Sequence, residues 1–401
     1  MTAALRDLSK WAEIESNKRP TTSFAERLIR FNWLLLSLAL AVSGIGLFNQ
    51  FVVGQTTPDD FFWGHLFRIC VGFLAFVLVS LVDPRWLRRL AFSGALVALI
   101  LLVLVQLIGV EFNQSTRWIR IGNFTLQPSE IAQVALVVYV ASYLDGRTHG
   151  ELGNPLWLLP PAIFTGAMAY LIFTQPDLGT TLKLLVLIGL MTLCSGIRWW
   201  LIGLVFLTIG GLGFVLLKSP ESYLKPYQLD RLTCFVLSDA EIEELADASP
   251  CDQPRQARVA IGAAGIWGHG PFNAPQLESL IIYEPYNDMI LAVHAEQFGL
   301  AGTLFLLCLI AFIVFLGFGV SISCRGQFTR LLALGAALNF GLYATINFMM
   351  VLSLLPVVGM PLALLSQGGT VTVSTWISLG LVNNAWINRH LVFSAEDQPT
   401  P

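Results

Sequence analysis

Charge is scarce in this chain. Asp, Glu, Lys and Arg make up 12% of its 401 residues against 55% hydrophobic residues, whereas soluble domains carry about 25% charged residues. That deficit excludes an ordinary soluble domain and points to a membrane protein. Histidine is scarcer still: the five residues are scattered, with none of the Cys/His spacing that holds zinc. There is no glycine-rich nucleotide motif and no internal repeat, and no nucleic-acid partner is expected. Of the six cysteines, Cys70, Cys194, Cys308 and Cys324 lie in or beside apolar stretches and read as small apolar residues. Cys234 and Cys251 share a polar stretch and form a candidate disulfide if that side of the membrane is oxidising.

Long hydrophobic runs are what the chain has instead. A window of about 19 residues, enough to cross roughly 30 Å of hydrocarbon, finds ten of them: 31–49, 62–82, 92–110, 129–144, 156–173, 178–195, 199–217, 300–321, 331–354 and 364–386. The expectation is an all-α, polytopic membrane protein of about ten transmembrane helices. A segment 1–30 precedes the transmembrane domain of 31–390, and a tail 391–401 follows it. The first run is longer than a signal peptide's apolar core and lacks a clean small-residue cleavage site, so it reads as a retained helix.

Lys and Arg in short connections set the orientation. Arg6, Lys10, Lys18, Arg19, Arg27 and Arg30 precede the first span, and Arg389 follows the last. Arg85, Arg88, Arg89, Arg147, Arg198, Arg325 and Arg330 fall in the even-numbered connections. The first, fifth and ninth connections carry none, and the third only Arg117 and Arg120. Both termini are therefore expected in the cytoplasm. One connection, 218–299, is a long extracytoplasmic loop between the seventh and eighth spans. Its centre, "SDAEIEELADASPCDQPRQAR", is polar and acidic. Its flanks, "YLKPYQLDRLTCF" and "VAIGAAGIWGHGPFNAPQ", mix aromatic, glycine and cationic residues as a docking surface would.

The remaining charges stand where a membrane makes them expensive. Arg68 and Lys183 fall inside predicted spans, and Glu130, Asp177 and Asp288 fall at span mouths. A charge at mid-bilayer costs about 2.5 to 3.5 kcal/mol on the mildest scale, so such residues usually face a cavity or a partner. Snorkelling accounts for Arg68 as well as function does. Asn287 or Asp288 also reads as a helix N-cap. After Asp288, the residues Ala292, Ala295 and Gly299 recur on one helical face, leaving room for a neighbouring helix or a substrate.

Six stretches occur in a telling order: "TRWIRIGNFTLQPSEIAQ" (116–133), "QPDLGT" (175–180), "YQLDR" (227–231), "AIGAAGIWGHG" (260–270), "NDMILAVHAEQFGLAG" (287–302) and "LLPVVGMPLALLSQGGT" (354–370). Together they resemble the SEDS family of RodA- and FtsW-like proteins over nearly the whole span region. The resemblance implies a peptidoglycan glycosyltransferase that polymerises lipid II at the outer face of the bacterial cytoplasmic membrane, beside a class B penicillin-binding transpeptidase. It also implies a divalent cation, Mg or Mn, for which the sequence shows no ligand set. Asp288 matches the family's essential aspartate and is the implied general base for the attacking sugar hydroxyl. Arg117 matches the family's arginine and is implied at the lipid diphosphate. Trp118, Gln127, Glu130, Gln175, Asp177, Lys183, Gln228 and Arg231 complete the implied substrate site.

Departures from the family pattern predict a divergent member. Gln133 stands where lysine is usual, one helical turn after Glu130, and the segments "SQGGTV" (366–371), "NDM" and "AEQ" are also altered. Lys183, four residues after Gly179, is expected to restore the missing charge by pairing with Glu130. Two other functions suit ten helices with buried charges around a cavity. A lipid-linked sugar flippase should show inverted repeats and paired interrupted helices, and a non-catalytic scaffold of a transpeptidase would tolerate loss of Asp288.

Overall fold

The structure, a computed structural model, describes residues 24–56, 61–112, 115–122, 124–147, 155–196, 203, 226–237, 251–273, 275 and 285–392. In chain order the elements are α1 (Phe24–Ile29), α2 (Trp33–Thr56), α3 (Phe61–Leu81), α4 (Pro84–Arg89), α5 (Ala91–Ile108), β1 (Val110–Phe112), β2 (Ser115–Ile121), β3 (Phe124–Leu126) and α6 (Pro128–Leu144). A 3-10 turn (Pro155–Leu158) leads into α7 (Leu159–Thr174), followed by α8 (Leu178–Cys194), α9 (Pro226–Val236), α10 (Asp252–Ala263), α11 (Ile290–Ser323), α12 (Gln327–Val351) and α13 (Gly369–Ile387). Nine of the ten predicted spans coincide with α2, α3, α5, α6, α7, α8, α11, α12 and α13. The span at 199–217, the acidic residues 238–250, most of the segment 1–30 and the tail from 393 lie outside the described residues but for Gly203.

Among the described residues, six helices are long and apolar enough to cross a membrane, and the chain is a multi-pass membrane protein. Helix α13 is different in character. Its Thr, Ser and Asn residues are buried, which an interior helix tolerates where they find partners. Asn384 Nδ2, for example, donates to the carbonyls of Val79 (2.9 Å), Ser80 (3.2 Å) and Val82 (2.6 Å) at the end of α3. Between helices in lipid, close approach at small residues does the work that hydrophobic burial does in water. The indole of Trp376 lies where a Cβ of Gly72 would stand, and a Cβ at Gly380 would come 2.9 Å from the Phe76 carbonyl. Phe73 and Phe76 meet that indole edge-on at 6.0 and 5.6 Å, contacts worth about 0.5 to 1.5 kcal/mol each beyond area burial.

The two ends of the bundle differ. At one end the arginine-rich connections are tied together: Arg27 Nη1 donates to Leu81 O (2.6 Å), Arg88 pairs with Asp145 (2.8 Å), and Arg325 N donates to Arg389 O (2.8 Å). Burial raises the Asp145 carboxyl above its ordinary pKa, against the opposing effects of Arg88 and the Phe328 N–H. The other end carries the sheet, the 175–177 turn, α9, α10 and the segment 352–368. The sheet is an addition to the helical expectation: an antiparallel meander β1-β2-β3 with Val110 opposite Trp118 and Ile119 opposite Leu126. Within β2 the buried Ile119 is followed by the exposed Arg120, the change of face between successive residues that a half-buried strand shows.

Helix α11 corrects the expected span of 300–321. It begins ten residues earlier, at Ile290, and is broken at Gly299 (φ 64°, ψ −163°), so an almost wholly buried half-helix precedes the long apolar one. Backbone groups freed by a break in a membrane need partners. The glycine loop supplies them: Leu300 N donates to Gly265 O, Ala301 N to Ile266 O, His269 N to Glu296 O and Gly270 N to Gln297 O, all at 3.0 Å. Gly299 is therefore the junction itself and not a member of a small-residue helical face with Ala292 and Ala295.

Candidate active site

Three segments frame Asp288. The residues before α11 are held by side chains from elsewhere: Gln50 Nε2 donates to Tyr286 O (2.8 Å), Ser366 Oγ to Asn287 O (2.7 Å) and Asn347 Nδ2 to Asp288 O (3.0 Å). Asn347 also donates to Met360 O (2.7 Å), so one amide clamps this turn to the segment 352–368. Phe61 stacks on Tyr286 at 4.4 Å. Met289 occupies the N-cap position of α11, which takes Asp288 out of it and removes the capping explanation. The Asp288 side chain is 6% exposed. A Cβ on Gly359, whose φ is +69°, would lie 3.4 Å from both Asp288 Oδ2 and Arg231 Nη1. Carboxylate and guanidinium thus converge on one glycine, and a side chain there would stand between them.

Arg231 comes from α9 together with Gln228, one turn earlier on the same face. Gln228 Nε2 donates to Pro176 O (3.2 Å), so α9 bridges Asp288 and the "QPDLGT" turn. Strand β2 delivers Arg117 to the same turn. Arg117 Nε donates to Gln175 O (3.1 Å), Nη2 to Pro176 O, and Nη1 stands 3.8 Å from Asp177 Oδ1. Asp177 also caps α8, accepting from Thr180 N (3.2 Å), and receives Gln127 Nε2 at 3.5 Å. Gln127 N donates to Thr370 Oγ1 (2.9 Å) at the start of α13, and Gln175 Nε2 to Leu102 O (3.3 Å). Trp118 is half-buried beside Arg117 on β2. Arg117, Trp118, Gln127, Gln175, Asp177, Gln228, Arg231 and Asp288 therefore occupy one end of the bundle.

Glu130 and Lys183 form a second cluster, buried in the helices. Glu130 accepts from the Tyr343 hydroxyl, from Ser374 Oγ (3.0 Å) and from Gln133 Nε2 (3.3 Å). Lys183 makes no ion pair with it. Its Nζ, fully buried and without a hydrogen-bond partner, lies 2.8 Å from the centroid of the Tyr343 ring. The expected pairing is corrected to an indirect one, with Tyr343 interposed between cation and carboxylate. Gln133 in turn preserves the hydrogen bond to Glu130 without the charge. Tyr343 and Asn347 are one turn apart on α12, so this helix contacts both clusters. A desolvated cation over an aromatic face is worth about 2 kcal/mol or more. Lys183→Ala is accordingly expected to lower the melting temperature in detergent, and adding Gln133→Lys, which brings an ammonium to Glu130, to recover most of the loss. A double variant no more stable than the single one would show that charge balance at Glu130 is not what Lys183 provides.

Arg68 does not snorkel to the lipid surface. Its guanidinium turns inward, where Cβ atoms on Gly64 and Gly369 would lie 3.5 and 3.7 Å from it. Among the described residues no three His, Cys, Asp or Glu side chains gather as metal ligands. The described donor set does not fit a protein cage for Mg or Mn, and the Lys and Arg residues described in the sheet, α9 and α10 are all arginines. Cys234 and Cys251 are joined in a disulfide, which ties α9 to α10.

The sequence profile of the FTSW_RODA_SPOVE family, described as a cell cycle protein, matches residues 26–391. This chain belongs to that family. A probable peptidoglycan glycosyltransferase FtsW of Alkalilimnicola ehrlichii is 32% identical over 93% of this chain and 92% of its own length. The peptidoglycan glycosyltransferase MrdB of Escherichia coli K12 is 31% identical over 90% of this chain and 94% of its own. Among solved structures, a chain of a peptidoglycan synthase complex that coordinates polymerisation and crosslinking superposes with a TM-score of 0.73 at 26% identity, covering 90% of this chain and 98% of that one. The rod shape determining protein RodA of Thermus thermophilus shares the fold, with a TM-score of 0.67 at 24% identity over 90% of this chain and 98% of its own. In this family member, sequence reading missed Gly359, Tyr343, Asn347 and Ser374 as site-forming residues. The signal available for the last three was a polar side chain in an apolar run, which membranes tolerate only with a partner.

Proposed function

We propose that this chain is a peptidoglycan glycosyltransferase that joins the disaccharide units of lipid II into glycan strands. The observation that carries the reading is the convergence of Asp288 and Arg231 on Gly359, at the bundle end away from the arginine-rich connections. An acceptor sugar hydroxyl attacks C1 of the donor sugar. As the new O–C1 bond forms, the bond from C1 to the diphosphate oxygen breaks with inversion, the hydroxyl proton passes to Asp288, and the lipid diphosphate departs. One carboxylate suffices for a single displacement, as inverting glycosidases illustrate by analogy. Arg231 is the guanidinium beside that base and offsets the charge on the departing diphosphate. Arg117, expected at the diphosphate, has Nε and Nη2 given to Gln175 O and Pro176 O; it holds the 175–177 turn that Gln228 also grips and is read instead as a positioning residue.

In this reading both termini lie in the cytoplasm and the site lies at the outer face of the bacterial cytoplasmic membrane, which the excess of Lys and Arg in the connections at the other end supports. A class B penicillin-binding transpeptidase is the partner that would crosslink the strands, a reading supported by the likeness to a chain of a synthase complex. The test is incubation of purified protein in vesicles with fluorescent lipid II, with and without the transpeptidase. Glycan strands are expected. A flippase would move lipid II between leaflets without polymer, and a scaffold would do neither. Absence of polymer from the wild type with its partner present ends the reading.

A further inference from the structure

We propose that the pocket between α9 and α10, which shares Arg231 with the surroundings of Asp288, is an oxyanion subsite for the substrate. This rests on the glycosyltransferase reading. Arg231 and Arg258 both line the pocket, one from each helix, with Gln253 from α10 and Ser353 and Val357 from the segment after α12. Its volume is about 40 Å³, and a water-sized group needs about 10 to 15 Å³. It therefore admits about three oxygens, the head of a phosphoryl or carboxylate group, and excludes a sugar ring. The lining favours an anion. Arg231 and Arg258 both line it, neither Asp230 nor Asp252 does, and the buried Ser353 hydroxyl has no hydrogen-bond partner among the described residues. Buried polar groups are normally paired, so a donor left open beside two arginines fits a bound oxygen.

The pocket is also a built one. Its two walls, α9 and α10, are joined by the Cys234–Cys251 disulfide, and Cys234 lies one turn after Arg231. Ala257 and Ala260 of α10 are buried against the rest of the protein. Arg231 reaches both this pocket and Gly359, so one arginine side chain links an oxyanion held here to the surroundings of the base. Lipid II offers two such groups: the diphosphate of the carrier and the carboxylates of the stem peptide. The subsite binds one of them.

Polymerisation kinetics decide the matter. Charge-assisted hydrogen bonds are worth enough that Arg258→Ala is expected to raise KM for lipid II by about ten- to a hundredfold, with kcat nearly unchanged as for loss of uniform binding. Arg258→Lys should regain part of that loss, and Cys234→Ser with Cys251→Ser should raise KM in the same direction. Two arms identify the source. Undecaprenyl diphosphate, which has no sugar or peptide, loses potency as a competitor against Arg258→Ala if the diphosphate is held. Lipid II with amidated peptide carboxylates shows a raised KM on the wild type if the peptide is held. Gln253→Ala serves where Arg258→Ala fails to fold. Unchanged KM in a folded variant, together with an inactive Asp288→Asn, overturns the subsite and leaves the glycosyltransferase standing. A wild type that makes no polymer removes both.

Discussion

Asp288→Asn leaves the fold intact and lowers lipid II turnover by about 10²- to 10⁴-fold, the usual contribution of a positioned base. The substitution keeps size and removes the proton acceptor. What holds the turn in place is untouched, because Gln50, Ser366 and Asn347 all donate to backbone carbonyls of residues 286–288. An unchanged melting temperature with unchanged lipid II binding and lost polymerisation is the expected set of results. Product at the wild-type rate would remove Asp288 as the base and would return the non-catalytic scaffold to consideration.

Gly299→Ala is expected to cost several kcal/mol of stability, roughly the sum of a strained backbone and a backbone clash. Its backbone lies in a region of φ and ψ that only glycine occupies readily, worth about 1 to 3 kcal/mol by itself. The added Cβ would also land on Gly268 N and Ile266 O. Moving those atoms breaks backbone hydrogen bonds across the junction, which have no water to replace them in a membrane. The half-helix before the break begins just after Asp288, so activity falls together with the melting temperature. Gly262→Ala is the control: it lies within α10 with nothing within 4 Å of a Cβ, and Ala there should be neutral or stabilise by up to about 1 kcal/mol. Equal melting temperatures for Gly299→Ala and the wild type would mean that the glycine loop does not dock on α11 as described.

The legible parts of the site were those with a local signature. Asp288 announced itself as a carboxylate at the lip of an apolar run, and the order of six short motifs carried the family. Arg231 and Arg117 were both readable as cations at the same end, but their division of labour was not. Which guanidinium stands at Asp288 depends on α9 reaching across to Gly359, a contact between residues more than a hundred positions apart. Lys183 and Glu130 were recognised as buried charges, whereas Tyr343, which stands between them, looked like one more aromatic residue in a span.

By itself the sequence determined that the chain lives in a membrane, where nine of its described helices run, and at which end its cations gather, because hydropathy and charge are summed locally and need no partner. The tertiary structure alone decided three things: the early start of α11, the sheet that places Arg117, and the convergence of Asp288 and Arg231 on Gly359. Each depends on where a freed backbone group or a buried charge finds its complement, and that complement lies far along the chain. A hydropathy window counts a residue facing lipid and one facing another helix alike, so it cannot tell a buried half-helix from a connecting loop.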